Sequence, residues 1–537
     1  MLEVRNLSKI FIDKKLFQDV NLKFTEGNTY GIIGANGAGK STFLKIISKE
    51  MESSSGEVYV DKGQRISSLE QDHNKYNDMI VTDLVVMGNK DLFDIQEAKN
   101  AIYLNPDATE ADYTRASELE EEFGAKGGWS SENDAQILLE ALGIPREKFG
   151  MQMKDLKSGE KVKSILAKAL FGNPDILIMD EPTNHLDMRA IKWLENFIIE
   201  YDKIVIVVSH DSEFLDNICT NIVDIDFGRA KMFTGNYSFW KQSSELIAEM
   251  QKNTNVRKEE QIAKLKSFID KFSANASKSK QATSRKKSLE KITLDEIIPS
   301  TRKYPFIRFE VDKVPGKQIL EVENLGYKDI NGQVLFDNLS FTMRPNDKLV
   351  IIGEDDIAKT KFLEILVGKE KNFTGEFKWG ATIKSDYFPS DNNSYFENDK
   401  GMLDWLREWP LKNSQDVNKD VSDQRMRSFL GKMLFSGDSV FKQVKNTSGG
   451  EKARLMFSKI MLTESNFLIF DQPLNHLDTE SIDAVVESFN KYESNMIFTT
   501  YNKALIKEAT IILEIKNDAS FIFRGTLEEY EKKMDFN

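Results

Sequence analysis

The 537-residue chain has a single cysteine, Cys219. No intrachain disulfide and no cysteine-rich zinc site can be built from one thiol, and such sparing use fits a reducing cytoplasm. Long apolar runs are also missing. No stretch of about 18 apolar residues occurs, so no membrane-spanning helix is expected. Positive charge is in deficit: 73 Lys and Arg stand against 86 Asp and Glu, a net charge of −13. That balance argues against general nucleic-acid binding, although it averages over one strongly basic stretch. Met1-Leu2-Glu3-Val4-Arg5 runs straight into a strand pattern, which argues against a signal peptide. The length exceeds what one core supports, so several domains are expected.

What is present is organised around Gly34-Ala35-Asn36-Gly37-Ala38-Gly39-Lys40-Ser41. An apolar strand-type run, Thr29–Ile33, precedes it, and Thr42–Ile47 follows with helical spacing. Strand, glycine loop, Lys-Ser and helix are the context in which this pattern reads as a phosphate-binding loop. The glycines let backbone N–H groups wrap an anion, and the helix N-terminus adds partial positive charge. Lys40 would reach the β- and γ-phosphates and Ser41 would hold Mg²⁺, with Thr42 beside them. An aromatic upstream of such a loop can stack on adenine. Phe11 lies there, between strand-like runs at Leu2–Val4 and Val20–Phe24, although a loop phenylalanine more often simply packs.

Further along, Asp175-Ile176-Leu177-Ile178-Met179-Asp180-Glu181 reads as a buried strand ending in two acids. Asp180 suits the Mg²⁺ environment and Glu181 suits the base that orients an attacking water. A second apolar strand, Ile204–Val208, delivers Ser209-His210 to the same sheet edge. His210 there either contacts a γ-phosphate or packs. Between the two regions the chain reads as helical and acidic. The amphipathic run Ala116–Phe123 is better read as a solvated helix face than as a site.

From about Phe239 the character changes. Between Lys252 and Lys291 there are 12 Lys or Arg against 4 Asp or Glu. Ile262, Leu265, Ile269, Phe272 and Ala276 step by 3, 4, 3 and 4, a coiled-coil seam. Two antiparallel helices with a basic tip are expected. Either this is a solvated linker, or a finger whose Lys278, Lys280, Arg285, Lys286 and Lys287 touch a phosphate backbone.

The chain then repeats itself. Gly353 follows Gly34 by 319 residues, and Ser390 follows Gln71 by the same 319. Gly450, Asp471 and Asp478 follow Gly159, Asp180 and Asp187 by 291. The 28-residue difference falls between Gln71 and Leu156, so the first copy carries an extra helical hairpin within Asp91–Trp129.

These residues resemble the ATP-binding cassette superfamily, with two cassettes in one chain. Gly34–Ser41 corresponds to the Walker A loop, Gln71 to the Q-loop glutamine and Mg²⁺ ligand, Asp180-Glu181 to the Walker B end, and His210 to the switch histidine. Ser448-Gly449-Gly450-Glu451 corresponds to the signature motif. Two cassettes, an acidic insert and a basic helical linker are similar to the ABC-F class, most of all its YbiT/YkpA-type branch. The resemblance implies an α/β fold of two P-loop NTPase domains, each with a helical subdomain, joined by a helical hairpin. The expected division is cassette one over 1–240, linker over 241–316 and cassette two over 317–537.

The resemblance also implies a head-to-tail pairing within a monomer, each ATP lying between one cassette's Walker motifs and the other's signature. All site-one residues are intact, and Glu181, His210 and Lys40 are its expected catalytic groups. Site two deviates throughout. Its loop is Gly353-Glu354-Asp355-Asp356-Ile357-Ala358-Lys359-Thr360, with Ala358 where a glycine belongs. Ser390 stands for the glutamine, Gln472 for the base, Leu474 for a threonine and Tyr501 for the histidine, and Lys157 occupies a signature position. An amide cannot take a proton from water. Gly353, Lys359 and Thr360 remain as expected nucleotide contacts, with Lys157 as a further charge.

The function implied is an ATP-hydrolysing translation factor of the cytoplasm. It would use ATP and Mg²⁺, enter the ribosome, at the E site as other members do, and place the linker tip on rRNA and the P-site tRNA. Hydrolysis would release it. Ribosome protection against antibiotics and service as the ATPase subunit of a separate membrane transporter are the alternatives.

Overall fold

The computed structural model describes residues 1–11, 14–70, 72, 74–247, 249–250, 267, 302, 304–413, 421–516 and 520–534. The coiled-coil seam residues and all five basic tip residues lie outside the described residues, as does Gln71.

The first cassette contains β1 (Leu2–Phe11), β2 (Lys14–Phe24), β3 (Asn28–Ile33), β4 (Ser55–Val60), β5 (Ile66–Ser68), β6 (Ile176–Asp180), β7 (Ile204–Val208), β8 (Asn221–Asp226) and β9 (Arg229–Thr234). The second contains β10 (Leu320–Lys328), β11 (Val334–Met343), β12 (Lys348–Ile352), β13 (Thr374–Trp379), β14 (Ser385–Phe388), β15 (Phe467–Asp471), β16 (Asn495–Thr499), β17 (Ile511–Glu514) and β18 (Phe521–Arg524). Each builds a six-stranded sheet, β5-β6-β7-β3-β8-β9 and β14-β15-β16-β12-β17-β18, beside a three-stranded antiparallel sheet, β2-β1-β4 and β11-β10-β13. The repeat read from the sequence is thus a repeat of topology. Phe11, expected between two strands, is the last residue of β1.

In the six-stranded sheets every pairing is parallel except the edge pairs β8–β9 and β17–β18. Both faces of the central strands are covered, so β6 and β7 carry continuous apolar residues instead of an alternating pattern. One face of the first sheet packs with Phe17, Phe24, Phe43 and Ile47, the other with the helices that follow. Parallel alignment brings the C-terminal ends of β3, β6 and β7 to one edge, with Ile32 and Asp180 both paired to Val208. In open α/β sheets this edge is where ligands bind.

The extra residues of cassette one form helices Lys90–Leu104 and Glu110–Ala125, the second started by a Thr109–Asp112 capping box. The Ala116–Phe123 run is not wholly solvated. Ala116, Leu119 and Phe123 are buried, and Phe123 meets Trp129 edge-on at 5.4 Å.

Part of the stretch expected as linker packs on cassette two. Ile307 and Phe309 are buried in cassette two, with the Phe309 ring 5.6 Å from Phe470 and 6.2 Å from Phe489. The cause is a strand-type alternation, Ile307, Phe309, Val311, that gives this stretch one apolar face. At the other end, Tyr237 and Trp240 are buried in cassette one. Among the described residues no helix is long and apolar enough to cross a membrane.

Candidate active site

The loop after β3 holds its shape through backbone conformations that glycine adopts readily. Gly37 and Gly39 have φ of 78° and 103°. A Cβ on Gly34 would lie 2.4 Å from the carbonyl oxygen of Ile225, so that position admits no side chain. Helix Lys40–Ile47 starts immediately after Gly39. The ammonium of Lys40 donates to the carbonyl of Gly34 at 2.7 Å and is buried. Burial pushes its pKa down, against the pull of Glu181, Glu480, Asp478 and Asp180. A buried cation in a loop of left-handed glycines is suited to a polyphosphate.

Asp180 ends β6, and Glu181 turns the chain with φ of 54°, an uncommon conformation for a residue with a side chain. Its N–H donates to the carbonyl of Val208 at 2.8 Å, which fixes the carboxylate beside the end of β7. There the N–H of His210 donates to Oε2 at 3.1 Å, while Oε1 is buried without a hydrogen-bond partner, 3.5 Å from Nε2 of the same histidine. Burial pushes the Glu181 carboxyl up to about 8; the His210 N–H opposes and Asp180 adds to the rise. Burial also pushes His210 down to about 4, with Lys40 contributing. A carboxylate whose affinity for a proton is matched to neutral pH is what water activation needs. Lys40, Ser41, Asp180, Glu181 and His210 all line one cavity of about 260 Å³.

A neighbouring cleft joins this loop to the second cassette. Ser448 caps helix Gly449–Thr463 in a capping box with Glu451. Ser448, Gly449, Gly450 and Glu451 line a cleft of about 570 Å³ together with Ala35 and Asn36 of the first loop. Side chains at the two glycines would run into His476, 3.2 Å from Gly449 and 2.9 Å from Gly450. Nδ1 of His210 lies 3.1 Å from the hydroxyl of Thr479, also in the second cassette. The head-to-tail pairing implied by the resemblance is therefore the arrangement observed.

Ser41 and Asp180 offer hydroxyl and carboxylate oxygens to one cavity, the hard donors Mg²⁺ prefers, and they would hold the ion. Bound there, Mg²⁺ would neutralise phosphate charge. Phe11 is exposed, with the Lys9 ammonium 5.0 Å from its ring, and lines neither cavity.

The second loop differs in backbone as well as sequence. Its helix, Asp356–Leu366, begins at the position equivalent to Gly37, three residues earlier in the repeat than helix Lys40–Ile47. Asp355 caps it, accepting the N–H of Ala358 at 3.1 Å. Gly353 keeps a φ of 143° for the same packing reason as Gly34, since a Cβ would meet Ile515 O at 2.5 Å. Lys359 donates to Gly353 O at 2.9 Å but also pairs with Asp356 at 2.8 Å and donates to the Tyr501 hydroxyl at 2.9 Å. Thr360 donates to Asp471 at 2.7 Å. Lys359 and Thr360, expected to contact a second nucleotide, are thus bonded to groups of their own cassette. Lys157 likewise faces Asp355 across the interface at 3.5 Å.

Residues 17–184 and 336–475 match the ABC transporter family model, and 223–309 match a second model described in the same words. Over 517 residues the chain is 48% identical to the uncharacterized ABC transporter ATP-binding protein YkpA of Bacillus subtilis (strain 168), covering 96% of this chain and 94% of the relative. It is 39% identical over 531 residues to the ATP-binding protein YbiT of Escherichia coli O157:H7, with 99% of both chains covered. ABC transporter F family member 2 of Arabidopsis thaliana is 30% identical over 544 residues, covering 99% of this chain and 78% of that one. The chain belongs to the ABC-F family. This ABC-F protein is an ATPase with two ATP-binding cassettes. Its fold is shared with the solved RNase-L Inhibitor, at a TM-score of 0.60 and 16% identity, covering 99% of this chain and 92% of that one.

Two residues of the ABC-F site were not singled out in the sequence. Thr479 follows Asp478, which served there only to register the repeat. Arg302 lines the signature cleft and pairs with Asp224 of cassette one at 2.6 Å and Glu480 of cassette two at 2.8 Å. Neither stands in a motif; each acts through the cassette pairing.

Proposed function

We propose that this protein is a ribosome-binding translation factor that is switched by ATP at site one alone. The observation that carries the hydrolytic half is the meeting of Lys40, Glu181 and His210 in one cavity, and Asn36 of that cavity also lines the neighbouring cleft that holds the signature of the other cassette. ATP bound there is sandwiched and draws the cassettes together. Glu181 takes the proton of the attacking water as its oxygen bonds to the γ-phosphorus and the bond to the β-phosphate oxygen breaks. Lys40 stabilises the charge that develops on the phosphate oxygens. Gln472, at the equivalent place in site two, cannot take that proton. Loss of the γ-phosphate removes the bridge to Ser448-Gly449-Gly450 and lets the cassettes part.

The ribosomal half rests on family and composition. Solved chains that share this fold include one titled as a model of ribosome-bound archaeal Pelota and ABCE1, at a TM-score of 0.56 and 17% identity. The basic segment between the cassettes supplies Lys278, Lys280, Arg285, Lys286 and Lys287 for phosphate contacts, on a chain whose net charge of −13 discourages loose binding elsewhere. The reading places the tip on rRNA and the P-site tRNA, with the cassettes in the E site.

Co-sedimentation tests it. The Glu181→Gln protein should pellet with ribosomes when ATP is present and stay behind without it. Neutralising the five basic residues should abolish pelleting. A Glu181→Gln protein that binds ATP yet remains in the supernatant would overturn the ribosomal reading.

A further inference from the structure

We propose that the second nucleotide site of this chain takes no nucleotide, and that Glu354, Asp355 and Asp356 replace phosphate as the bridge between the cassettes at that site. The proposal rests on the two-site geometry of the cassette pair and is independent of any ribosomal partner.

The backbone of the second loop is helical where the first is left-handed. A phosphate cradle needs successive amides turned toward one point, and left-handed residues such as Gly37 and Gly39 of site one permit that turn. Among the described residues with positive φ, Asp356 and Ala358 do not appear. Both are helical, and the turn Asp356-Ile357-Ala358 extends the helix through the region a cradle would occupy. The amide of Ala358 is already bonded to the Asp355 carboxylate.

The charge of the second-loop lysine is already matched. Lys359 is buried, and the carboxylate of Asp356 is its counter-ion. Asp356 also accepts from the Tyr501 hydroxyl at 2.6 Å and from the Gln472 amide at 3.3 Å, and lies 3.7 Å from Nδ1 of His185 in the opposite cassette. The substituted base and the substituted switch residue thus converge on one carboxylate, as Glu181 and His210 converge on their cavity. Burial alone would raise the Asp356 carboxyl; the His185, Lys359 and Tyr501 contacts outweigh it and hold the group well below the usual range.

The same acidic run meets lysines across the interface. Asp355 faces Lys157, and Glu354 accepts from Lys163 at 3.1 Å, both lysines belonging to the first cassette. Gly159 of the first-half signature would place a Cβ 3.5 Å from the carbonyl of Glu354, so the two elements touch directly. A polyphosphate would have to displace three ion pairs and sit beside three carboxylates. The adjoining cavity is bordered by Gly353, Glu354 and Asp355, but neither Lys359 nor Thr360 lines it.

The closing experiment counts nucleotide. Equilibrium dialysis of the full-length Glu181→Gln protein against saturating radiolabelled ATP and Mg²⁺ should give one ATP per chain. Two per chain would overturn the proposal. Adding Lys40→Ala, or Ser41→Ala to keep the buried lysine, should reduce the count toward zero. One retained ATP in either double variant would mean that site two binds it, and would also overturn the proposal. A count of zero in Glu181→Gln itself would contradict the site-one reading while supporting closure of site two.

Discussion

His210 of the first cassette and Thr479 of the second face each other with Nδ1 and Oγ1 3.1 Å apart. The contact ties the His210 ring to the second cassette, so its orientation depends on how the two halves are paired. One side-chain hydrogen bond is worth about 0.5–1.5 kcal/mol. Thr479→Val should therefore lower kcat up to about tenfold with little change in KM for ATP. Thr479→Ser should restore it. Unchanged kcat in Thr479→Val would remove Thr479 from the account.

Arg302 provides a second tie. Its guanidinium meets Asp224 and Glu480 from opposite cassettes and stacks over Trp240 at 4.6 Å. Removing one partner of a buried ionic network costs about 3–5 kcal/mol. Arg302→Ala should lower the thermal unfolding temperature, and Arg302→Lys should recover only part, because an ammonium lacks the planar fork that serves two carboxylates. A melting curve superimposable on the parent's would contradict the bridge.

Cys219 should be inert in the folded protein. It is buried, burial pushes its thiol above the ordinary range, and reactivity needs the thiolate. Mass spectrometry after iodoacetamide treatment should show negligible labelling at pH 8 and full labelling in urea. Its sulfur also lies 2.8 Å from where a Cβ on Gly31 would sit. Gly31→Ala should destabilise the protein by about 1–3 kcal/mol through overpacking, read as a lower urea midpoint. Rapid native labelling would contradict this packing.

Local pattern explains what was legible in the sequence. Gly34–Ser41, Asp180-Glu181 and His210 each sit where a short apolar strand ends, and parallel pairing then brings those ends together without further instruction. The repeat offset located the extra hairpin because insertions shift register. Site two was legible as a list of substitutions but not as a structure. Losing both glycines at 356 and 358 removes the residues that favour a left-handed loop, and only with the helix formed does Asp356 fall within reach of Lys359 three residues on. Thr479 and Arg302 were illegible for another reason: Thr479 meets His210 of the other cassette and Arg302 meets one acid from each, and no local pattern encodes that docking. Residues 307–311 carried a strand alternation that the surrounding basic linker obscured.

The central claim is that hydrolysis belongs to site one. Single-turnover hydrolysis, with protein in excess over radiolabelled ATP, tests it most directly. Glu181→Gln should slow the reaction on the order of 10²–10⁴-fold. Gln472→Ala should leave it within about twofold of the parent, since the Gln472 amide is bonded to the Asp356 carboxylate and cannot take a proton from water. Substantial hydrolysis surviving in Glu181→Gln, or a loss of similar size in Gln472→Ala, would contradict the account.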